Sequence, residues 1–392
     1  MSFDRRPPGG DDQARRDRLL RQAARPDRAP DAGRGPAVGR PGPGPAPAGP
    51  AAPQRPSGDR ADRRPDALKG DTGSFKYRAD SYRATQGEPV VPPHPSRVDL
   101  HTHSRRSDGV LEPLELVRAA AAVGVQVLAL ADHDTLAGVR ELNAPGHAQL
   151  PLELLPAVEI NSIAARTPAL WEGELHILGL GVDLGDDSFE ATLEKQRGLR
   201  VTRFNRIVDR LRQLGFPVDD QVDRLLAGRT AAFGASLGRP QVARCLVEAR
   251  YASTVDDAMQ RLLVRGKPAY VPREGLGPLE AISAIRAAGG LPSLAHFADA
   301  WERRDLIEEL AQAGLGGLEV HYRHFDRDTI ADLTDVAREL RLRPTGGSDY
   351  HGDVETYAEA HAALYVPDED ATDLYSLLGR RRLTIRVEGP SS

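Results

Sequence analysis

Two histidines separated by a single residue, His101 and His103, follow a short apolar run in the segment VDLHTHS, and Asp108 lies a few residues further on. In a β-strand, residues i and i+2 point to the same side of the sheet, so both imidazole rings can converge on one point. Two converging imidazoles beside a carboxylate are typical of a metal site. A lone pair of this kind is more often a surface or core pair, so the rest of the chain has to decide.

The same residue types recur at the ends of the other apolar runs. These further candidates are Asp132, His133, Asp134, Glu159, His176, His296, Glu319, His321, Asp349 and His351. In a barrel of parallel strands, the C-terminal ends of all strands lie on one face, and that face carries the active site. The repetition therefore predicts that residues spread from His101 to His351 meet in one cleft.

Between these positions, apolar runs alternate with helical patterns. The predicted strands are VDLH, VQVLALADHD, LELLPAVEIN, ELHILGLGVD, GLPSLAHF, GGLEVHY and RPTGGSDYH, and helices such as PLELVRAAAAVG and RRDLIEELAQAG separate them. Such alternation indicates βα units and a parallel sheet. No glycine-rich phosphate loop follows the first strand, which argues against a dinucleotide-binding fold. We therefore predict an α/β protein with a seven-stranded β/α barrel.

Two regions depart from this pattern. Residues 1–95 hold more than half of the 31 prolines and almost no large apolar side chains, which predicts a disordered tail rich in Pro, Arg, Gly and Ala. Residues 188–268 have apolar residues at helical spacing, which predicts an all-helical insertion domain between strands four and five. The barrel then comprises residues 96–187 and 269–388. Arginines outnumber acids in the tail, so it could contact RNA or an acidic partner, although a solvated tail without a fixed partner is the simpler interpretation.

The composition excludes several classes of protein. A net charge of −5 favours neither a polyanion-binding nor a strongly acidic protein, and the single cysteine, Cys245, allows no intrachain disulfide. No apolar run approaches the roughly 18 residues that a membrane span needs, and MSFDRRPPGG lacks the apolar core of a secretory signal. We therefore expect a cytoplasmic protein with no membrane partner and no stable nucleic-acid complex.

The candidate ligands are imidazoles and carboxylates without a thiolate, which favours Mn, Fe or Zn and excludes a cysteine-rich structural zinc site. They are too numerous for one ion, so we expect two or three ions bridged by carboxylate and hydroxide. A bridging hydroxide is a nucleophile at neutral pH, and clustered cations neutralise charge on a phosphoryl group. Phosphoester hydrolysis is therefore the predicted chemistry.

The segments HTHSRRSDG, ADHDT, PAVEIN, ELHILG, LAHF and GSDYHG resemble the polymerase-and-histidinol-phosphatase (PHP) family of metal-dependent phosphoesterases over about residues 97–385. Within that family, the helical insertion and the spacing are most similar to the group that hydrolyses nucleoside 3',5'-bisphosphates and the 5' ends of short RNA oligonucleotides. The resemblance implies a distorted seven-stranded β/α barrel with a trinuclear centre, often of manganese.

The resemblance also implies how the ions are shared among nine ligands. One ion would be held by His101, His103, Glu159 and Asp349. Glu159 would bridge to a second ion, completed by His176 and His296, and the third would be held by Asp108, His133 and His351. All nine positions carry the expected residue type. The centre is therefore expected to be intact, with a metal-bound hydroxide held by Asp108, His296, Glu159 and His351.

Substrate contacts are expected from the insertion. Arg200, Arg203 and Asn205 follow an R-x-x-R-x-N pattern common in these relatives, and the planar guanidinium group suits a second phosphate. The alternative is that they are solvated helix-face residues. Many relatives read G-R-P-H where this chain has Gly238-Arg239-Pro240-Gln241, and Gln241 can hydrogen-bond but cannot carry charge.

Some single positions and some functions stay open at this point. Asp108 could cap a turn, Asp134 could be a helix N-cap or a support for the ligands, and His321 could line the cleft or pack in the core. Other functions compatible with the sequence are a small-molecule phosphatase of the histidinol-phosphatase type and a non-catalytic metal-binding interaction module. The helical insertion with its arginines argues against the first, and the complete ligand set argues against the second.

Overall fold

A computed structural model describes residues 94–144, 148–163, 174–227, 236–379 and 383–387. The predicted disordered tail, residues 1–95, lies outside these residues except for its last two positions. Among the described helices, none combines the length and the apolar character needed to cross a lipid bilayer.

The described strands form one eight-stranded sheet. They are β1 (Val98–Thr102), β2 (Val127–Leu130), β3 (Ala148–Ile163), β4 (Glu174–Leu180), β5 (Leu291–Leu294), β6 (Gly317–Tyr322), β7 (Arg343–Gly347) and β8 (Leu383–Val387). Strands β1 to β7 are neighbours in sequence order, and β8 pairs with β3. The residues after β7 return to β1, where the Asp349 N–H donates to the His101 carbonyl at 2.7 Å. The predicted seven-stranded α/β barrel is therefore confirmed, in a nearly closed form.

The barrel is not parallel throughout. Strands β1 to β3 and β5 to β7 pair in parallel, but β4 runs antiparallel to both β3 and β5. The prediction of an all-parallel sheet is wrong at this strand, because residues 164–173 are too few for the crossover that two parallel strands need. As a result, His176 lies near the start of β4, where it pairs with Asn161 near the end of β3. Both therefore face the edge that carries the other strand ends.

Helices alternate with the strands and also fill the long interval between β4 and β5. The helices before that interval are α1 (Pro113–Ala122) and α2 (Ala137–Asn143). Those within it are α3 (Asp187–Gln213), α4 (Asp219–Ala227), α5 (Arg239–Glu248), α6 (Val255–Ala258), which continues as a π-helical turn over Met259–Leu263, and α7 (Pro278–Ala287), which leads into β5. Those after it are α8 (Arg304–Gln312), α9 (Arg327–Leu340), α10 (Tyr357–Ala362) and α11 (Asp368–Leu378), with a 3₁₀ turn at Ala298–Ala300.

Local sequence accounts for where several of these helices begin. The Asp186 carboxylate accepts a hydrogen bond from Phe189 N at 2.9 Å at the start of α3, and Asp326 accepts one from Thr329 N at 2.8 Å at the start of α9. Side-chain acceptors of this kind satisfy backbone N–H groups that have no partner within the helix.

The interval between β4 and β5 has an apolar core of its own. Phe204, Ile207 and Leu211 of α3 pack there with Val242 and Leu246 of α5. The barrel core is built instead from strand residues and from the helices on its outside. These helices agree with the predicted helical insertion, while its boundaries at residues 188 and 268 stay a prediction.

Glycine sets the closest approach between the first and last strands of the barrel. A Cβ atom added at Gly347 in β7 would overlap the backbone and Cβ of His101 in β1. Because β7 has no side chain there, the two strands can bring His101 and Asp349 to the same point.

Candidate metal centre

The nine side chains with the expected ligand types lie together at the edge of the barrel where most strands end. They form three groups, and in each group the potential ligand atoms lie within 4.8 Å of one another. The groups are His101, His103, Glu159 and Asp349; Glu159, His176 and His296; and His103, Asp108, His133 and His351. The structure thus brings the predicted residues together across the chain, and it adds His103 to the third group.

The first group lies deepest in the barrel. His101 Nε2 is 3.4 Å from Glu159 Oε2 and 3.3 Å from Asp349 Oδ1. His103 Nε2 lies 3.2 Å and 3.1 Å from the same two oxygen atoms. These four side chains are at most 1% exposed, so they form the floor of the site.

The other two groups share residues with this floor. Glu159 Oε1 is 2.7 Å from His176 Nδ1 and 3.1 Å from His296 Nε2. Burial lowers the pKa of His176 to about 4, so its ring is neutral at neutral pH, which is the form that binds a cation. In the third group, Asp108 Oδ1 lies 3.2 Å from His351 Nε2, and Asp108 Oδ2 lies 3.5 Å from His133 Nε2.

Buried polar atoms without a hydrogen bond test whether this cluster fits divalent cations. Six such atoms are His101 Nε2, His103 Nε2, His133 Nδ1, Asp108 Oδ1, Asp349 Oδ1 and Glu159 Oε2. Leaving a buried polar atom unsatisfied costs about 1–3 kcal/mol, so such atoms are rare in proteins. Here they converge on one another, and all are nitrogen or oxygen donors of the kind that bind divalent transition metals. The donor set therefore fits divalent cations.

The carboxylates and imidazoles also shift one another's pKa values. Burial alone would raise the pKa of Glu159, but the surrounding imidazoles, led by His133, lower it well below its usual range. Neighbouring imidazoles lower the pKa values of Asp108 and Asp349 in the same way, against the effect of burial. Burial would lower the pKa of His103, but the adjacent carboxylates of Asp349 and Glu159 raise it to about 10. The ionised carboxylates thus draw positive charge into the site.

Three residues that follow strand ends have a left-handed backbone. Asp134, His296 and Asp349 have φ values of 52°, 35° and 48°. Such values are uncommon outside glycine and cluster at functional sites. Hydrogen bonds hold each of the three N–H groups, from Asp134 N to Glu159 O (3.0 Å), from His296 N to Glu319 Oε2 (2.7 Å) and from Asp349 N to His101 O (2.7 Å).

Buried carboxylates outside the three groups hold the ligands in place. Glu319 on β6 accepts the His296 N–H through Oε2, and its Oε1 lies 3.0 Å from His101 Nδ1. His101 is thereby positioned with Nε2 toward the first group. Asp132 accepts hydrogen bonds from Ser104 Oγ and Ser107 Oγ at 2.7 Å each, in the loop that carries Asp108. The sequence placed both acids at strand ends, and neither is among the nine ligands that the family resemblance implied.

A second buried polar cluster adjoins the metal centre. We call it the arginine cluster, and its members are Arg200, Arg203, Arg239, Arg273, Asp134, Glu174 and Asn161. Two salt bridges join Asp134 Oδ2 to Arg200 Nε at 2.5 Å and to Arg273 Nη2 at 2.9 Å. The Glu174 carboxylate lies 3.7–3.8 Å from the guanidinium groups of Arg203, Arg239 and Arg273. The cluster therefore contains four cationic groups and two carboxylates.

Asn161 connects the two clusters. Its Oδ1 accepts a hydrogen bond from Arg200 Nη2 at 2.6 Å, and its Nδ2 is 2.6 Å from His176 Nε2. Burial alone would raise the pKa of Glu174, but the guanidinium groups, Arg273 first, lower it. The sequence missed Asn161, Glu174 and Arg273. The last lies in an irregular segment before α7, where no pattern singles it out.

The structure settles the open single positions. Asp134 binds Arg200 and Arg273 and is not the N-cap of α2, which is Leu136. His321 Nε2 lies 2.8 Å from Asp370 Oδ2 on α11, so this ring joins a strand to a helix. Of the three predicted substrate contacts, Arg200 and Arg203 are buried in the arginine cluster, whereas Asn205 lies on the exposed side of α3. The structure therefore does not bring Asn205 to the site, because it is turned away from Arg203 around the helix.

An α/β barrel with three adjoining groups of histidine and carboxylate ligands defines a metal-dependent hydrolase. The chain matches no protein-family model. It is 36% identical over 261 residues to a 5'-3' exoribonuclease of Haemophilus influenzae, covering 65% of this chain and 90% of that protein. It is 30% identical over 269 residues to a 3',5'-nucleoside bisphosphate phosphatase of Chromobacterium violaceum, covering 65% and 87%.

A solved structure agrees with these relatives. The crystal structure of a protein described as a metal-dependent phosphoesterase of Bifidobacterium adolescentis superposes with a TM-score of 0.60 at 28% identity, covering 74% of this chain and 98% of that one. The chain belongs to the PHP family of metal-dependent phosphoesterases. It is a hydrolase of phosphate esters that uses divalent metal ions.

Proposed function

We propose that this chain hydrolyses phosphate esters of nucleotides, namely nucleoside 3',5'-bisphosphates and the 5' ends of short RNA oligonucleotides. It would use two or three divalent cations, with manganese as the expected metal and iron or zinc as alternatives. Relatives with these activities support the substrate class. The cytoplasmic location stays a prediction, as does the absence of a stable nucleic-acid complex.

One observation carries the proposal: the ligand groups adjoin a buried cluster with more arginines than carboxylates. A site that hydrolyses one phosphate needs only its cations. Four buried guanidinium groups beside two carboxylates leave an excess of positive charge, and Asn161 joins this cluster to His176. Guanidinium groups bind phosphate oxygens through charge-assisted hydrogen bonds. We therefore assign Arg200 and Arg203 to a second phosphate of the substrate and leave Asn205 out.

The exposure of the ligands supports a direction of substrate approach. The floor residues, such as His101, are inaccessible, whereas Asp108, His133 and His351 have side chains 8–13% exposed. His176 and His296 are 6–7% exposed. The scissile phosphate would therefore lie over the second and third groups. The arginine cluster would receive the other phosphate on the side of His176.

The chain's residues have distinct roles in this proposal. The first group, with Glu159 at its centre, would hold the deepest cation, and Glu159 also lies close to His176, His296 and His133. Bound divalent cations lower the pKa of water and neutralise charge on a phosphoryl group. Asp108, His296, Glu159 and His351 would hold the cations that supply the attacking water. Arg200 and Arg203 orient the substrate, which favours in-line attack by fixing its geometry.

The test compares three substrates with the manganese-loaded full chain. We expect a nucleoside 3',5'-bisphosphate and a short 5'-phosphorylated RNA to be hydrolysed with kcat/KM at least ~10-fold above that of histidinol phosphate, because one additional charge-assisted hydrogen bond contributes about 1.5–3 kcal/mol. An Asp108→Asn protein with unchanged folding serves as the control for contaminating phosphatases.

Either alternative would appear directly in that assay. Preference for histidinol phosphate would assign the chain to small-molecule phosphatases. Bound metal without hydrolysis of any of the three substrates would favour a non-catalytic interaction module. Either result would contradict the proposal.

A further inference from the structure

The loop between β1 and α1, which carries Asp108, is held by the helical insertion through three consecutive backbone carbonyls. The contacts are Ser236 N to Arg106 O (2.8 Å), Gln241 Nε2 to Ser107 O (2.7 Å) and Arg244 Nη2 to Asp108 O (2.6 Å). Each of these three carbonyls accepts a hydrogen bond from the helical insertion. Because the three donors lie on the same side, they fix the path of the loop.

The barrel holds the same loop from the other side. Asp132 Oδ1 accepts a hydrogen bond from Ser107 Oγ, and the Ser104 carbonyl accepts the N–H groups of Ser107 and Gly109 at 3.0 Å each. A Cβ atom at Gly109 would overlap the His103 backbone, so the chain passes the ligand strand at its closest there. With both sides of the loop held, the Asp108 carboxylate points toward His133 and His351.

Both ends of the Gln241 amide are used in this arrangement. Gln241 Oε1 accepts the Gly238 N–H at 2.7 Å at the start of α5, while Nε2 donates to Ser107 O. The side chain is 1% exposed, so it is enclosed between α5 and the loop. In this chain its amide acts on the loop and not on the cleft.

We propose that Gln241 and Arg244 are positioning residues that set the cation site formed by Asp108, His133 and His351. The inference rests on the proposed ligand role of Asp108. The helical insertion thereby has two separate tasks: α3 contributes Arg200 and Arg203 to the arginine cluster, and α5 aligns a ligand of the metal centre. Residues that support metal ligands in this way typically contribute 10–100-fold to metal affinity or activity.

Two substitutions test the proposal in the full chain. Gln241→Glu keeps the shape and the acceptor for Gly238 but removes the donor to Ser107 and places a carboxylate against its carbonyl. Arg244→Met removes the donor to Asp108 at a half-buried position, and Arg244→Lys restores a cationic donor. Arg224→Met is the matched control, because Arg224 pairs with Glu248 on the exposed surface of the same insertion.

Manganese binding is measured by calorimetric titration and by metal content after dialysis, alongside kcat and KM. We expect Gln241→Glu and Arg244→Met to weaken the weakest manganese site by about 10–100-fold and to lower kcat, with KM for the bisphosphate changed less than about 3-fold. Arg244→Lys should recover part of the loss, and Arg224→Met should match the unmodified protein.

The proposal is overturned if both variants bind manganese normally. It is also overturned if KM alone rises, because Gln241 would then contact the substrate. Failure of the proposed function is separate: if the unmodified protein hydrolyses no substrate, the binding measurements still decide whether α5 positions Asp108. Unfolding curves in chelator identify a variant that fails to fold, in which case the other variant decides.

Discussion

The metal centre and the arginine cluster are both buried, both polar and joined through Asn161, yet they are stabilised differently. In the metal centre, six ligand atoms make no hydrogen bond and converge on common points. In the arginine cluster, Asp134 and Glu174 form salt bridges with the guanidinium groups around them. Burying unpaired polar groups is costly, so the first region depends on bound cations, while in the second the two carboxylates offset part of the guanidinium charge and leave donors such as Arg203 Nη2 without a hydrogen bond.

This contrast teaches that burial of charge alone does not identify a cofactor site. The arginine cluster looks like a structural ion-pair network until its charges are counted, because four cationic groups face two carboxylates. Its excess charge suits an anion, while the metal centre has acceptors and suits cations. Substrate phosphates could therefore interact with both regions at once. Substitutions in the metal centre should therefore change metal affinity and turnover, whereas substitutions in the arginine cluster should change substrate selectivity.

The largest effect is expected when a ligand of the metal centre is removed. Asp108→Ala or His296→Ala should lower kcat/KM by ~10³-fold or more, since a catalytic cation contributes several kcal/mol to transition-state stabilisation. The fold should remain soluble, as judged by circular dichroism. Full activity in either variant would refute the ligand assignment.

A smaller effect is expected when a residue that supports a ligand is substituted. Glu319→Gln keeps the shape of the side chain, but an amide cannot accept from His296 N and from His101 Nδ1 at the same time. We expect manganese affinity to fall by about 10–100-fold, measured by calorimetric titration, while the unfolding temperature in chelator changes little. Unchanged affinity would show that Glu319 only packs in the core.

A substitution in the arginine cluster should change the substrate selectivity of the protein. Arg203→Met removes a guanidinium whose Nη2 makes no hydrogen bond, so the KM for a nucleoside bisphosphate should rise about 10-fold while a substrate with one phosphate is unaffected. Arg206→Met is the matched control, since Arg206 lies one turn further along α3 and pairs with exposed Glu274. Equal losses for both substrates would remove the second-phosphate role.

Chelation should act on the metal centre alone, and apart from the loss of activity it should produce only a small shift in thermal stability. Removing cations present at about 100-fold above their dissociation constant takes away about 2.7 kcal/mol of stability, which lowers Tm by roughly 3–5 °C in a chain of this size. Scanning calorimetry with and without chelator measures this shift. The Arg203→Met variant should show the same shift in Tm, because the substitution lies in the arginine cluster and not in the metal centre.

Several features of the site could be predicted from sequence because they depend on local pattern. The i, i+2 spacing of His101 and His103 and the recurrence of acids and histidines after apolar runs indicated both the barrel and its ligand-bearing edge. The antiparallel direction of β4 was missed, although the short connection from β3 contained the signal. Arg273 and Glu174 could not be found, since Arg273 lies in an irregular segment, Glu174 begins a strand that only its histidine marked, and their partners are distant in sequence.

The sequence by itself determined the chemistry: which side chains can bind cations, where strands end, and that a helical segment interrupts the barrel. Those properties follow from residue type and from the periods of strands and helices, which are local. The tertiary structure alone decided how Glu319 and Asp132 contact the ligands and their loop, that Asn205 faces solvent, and that α5 holds the loop of Asp108. These outcomes depend on distances between segments far apart in the chain, and residue spacing along the chain does not encode them.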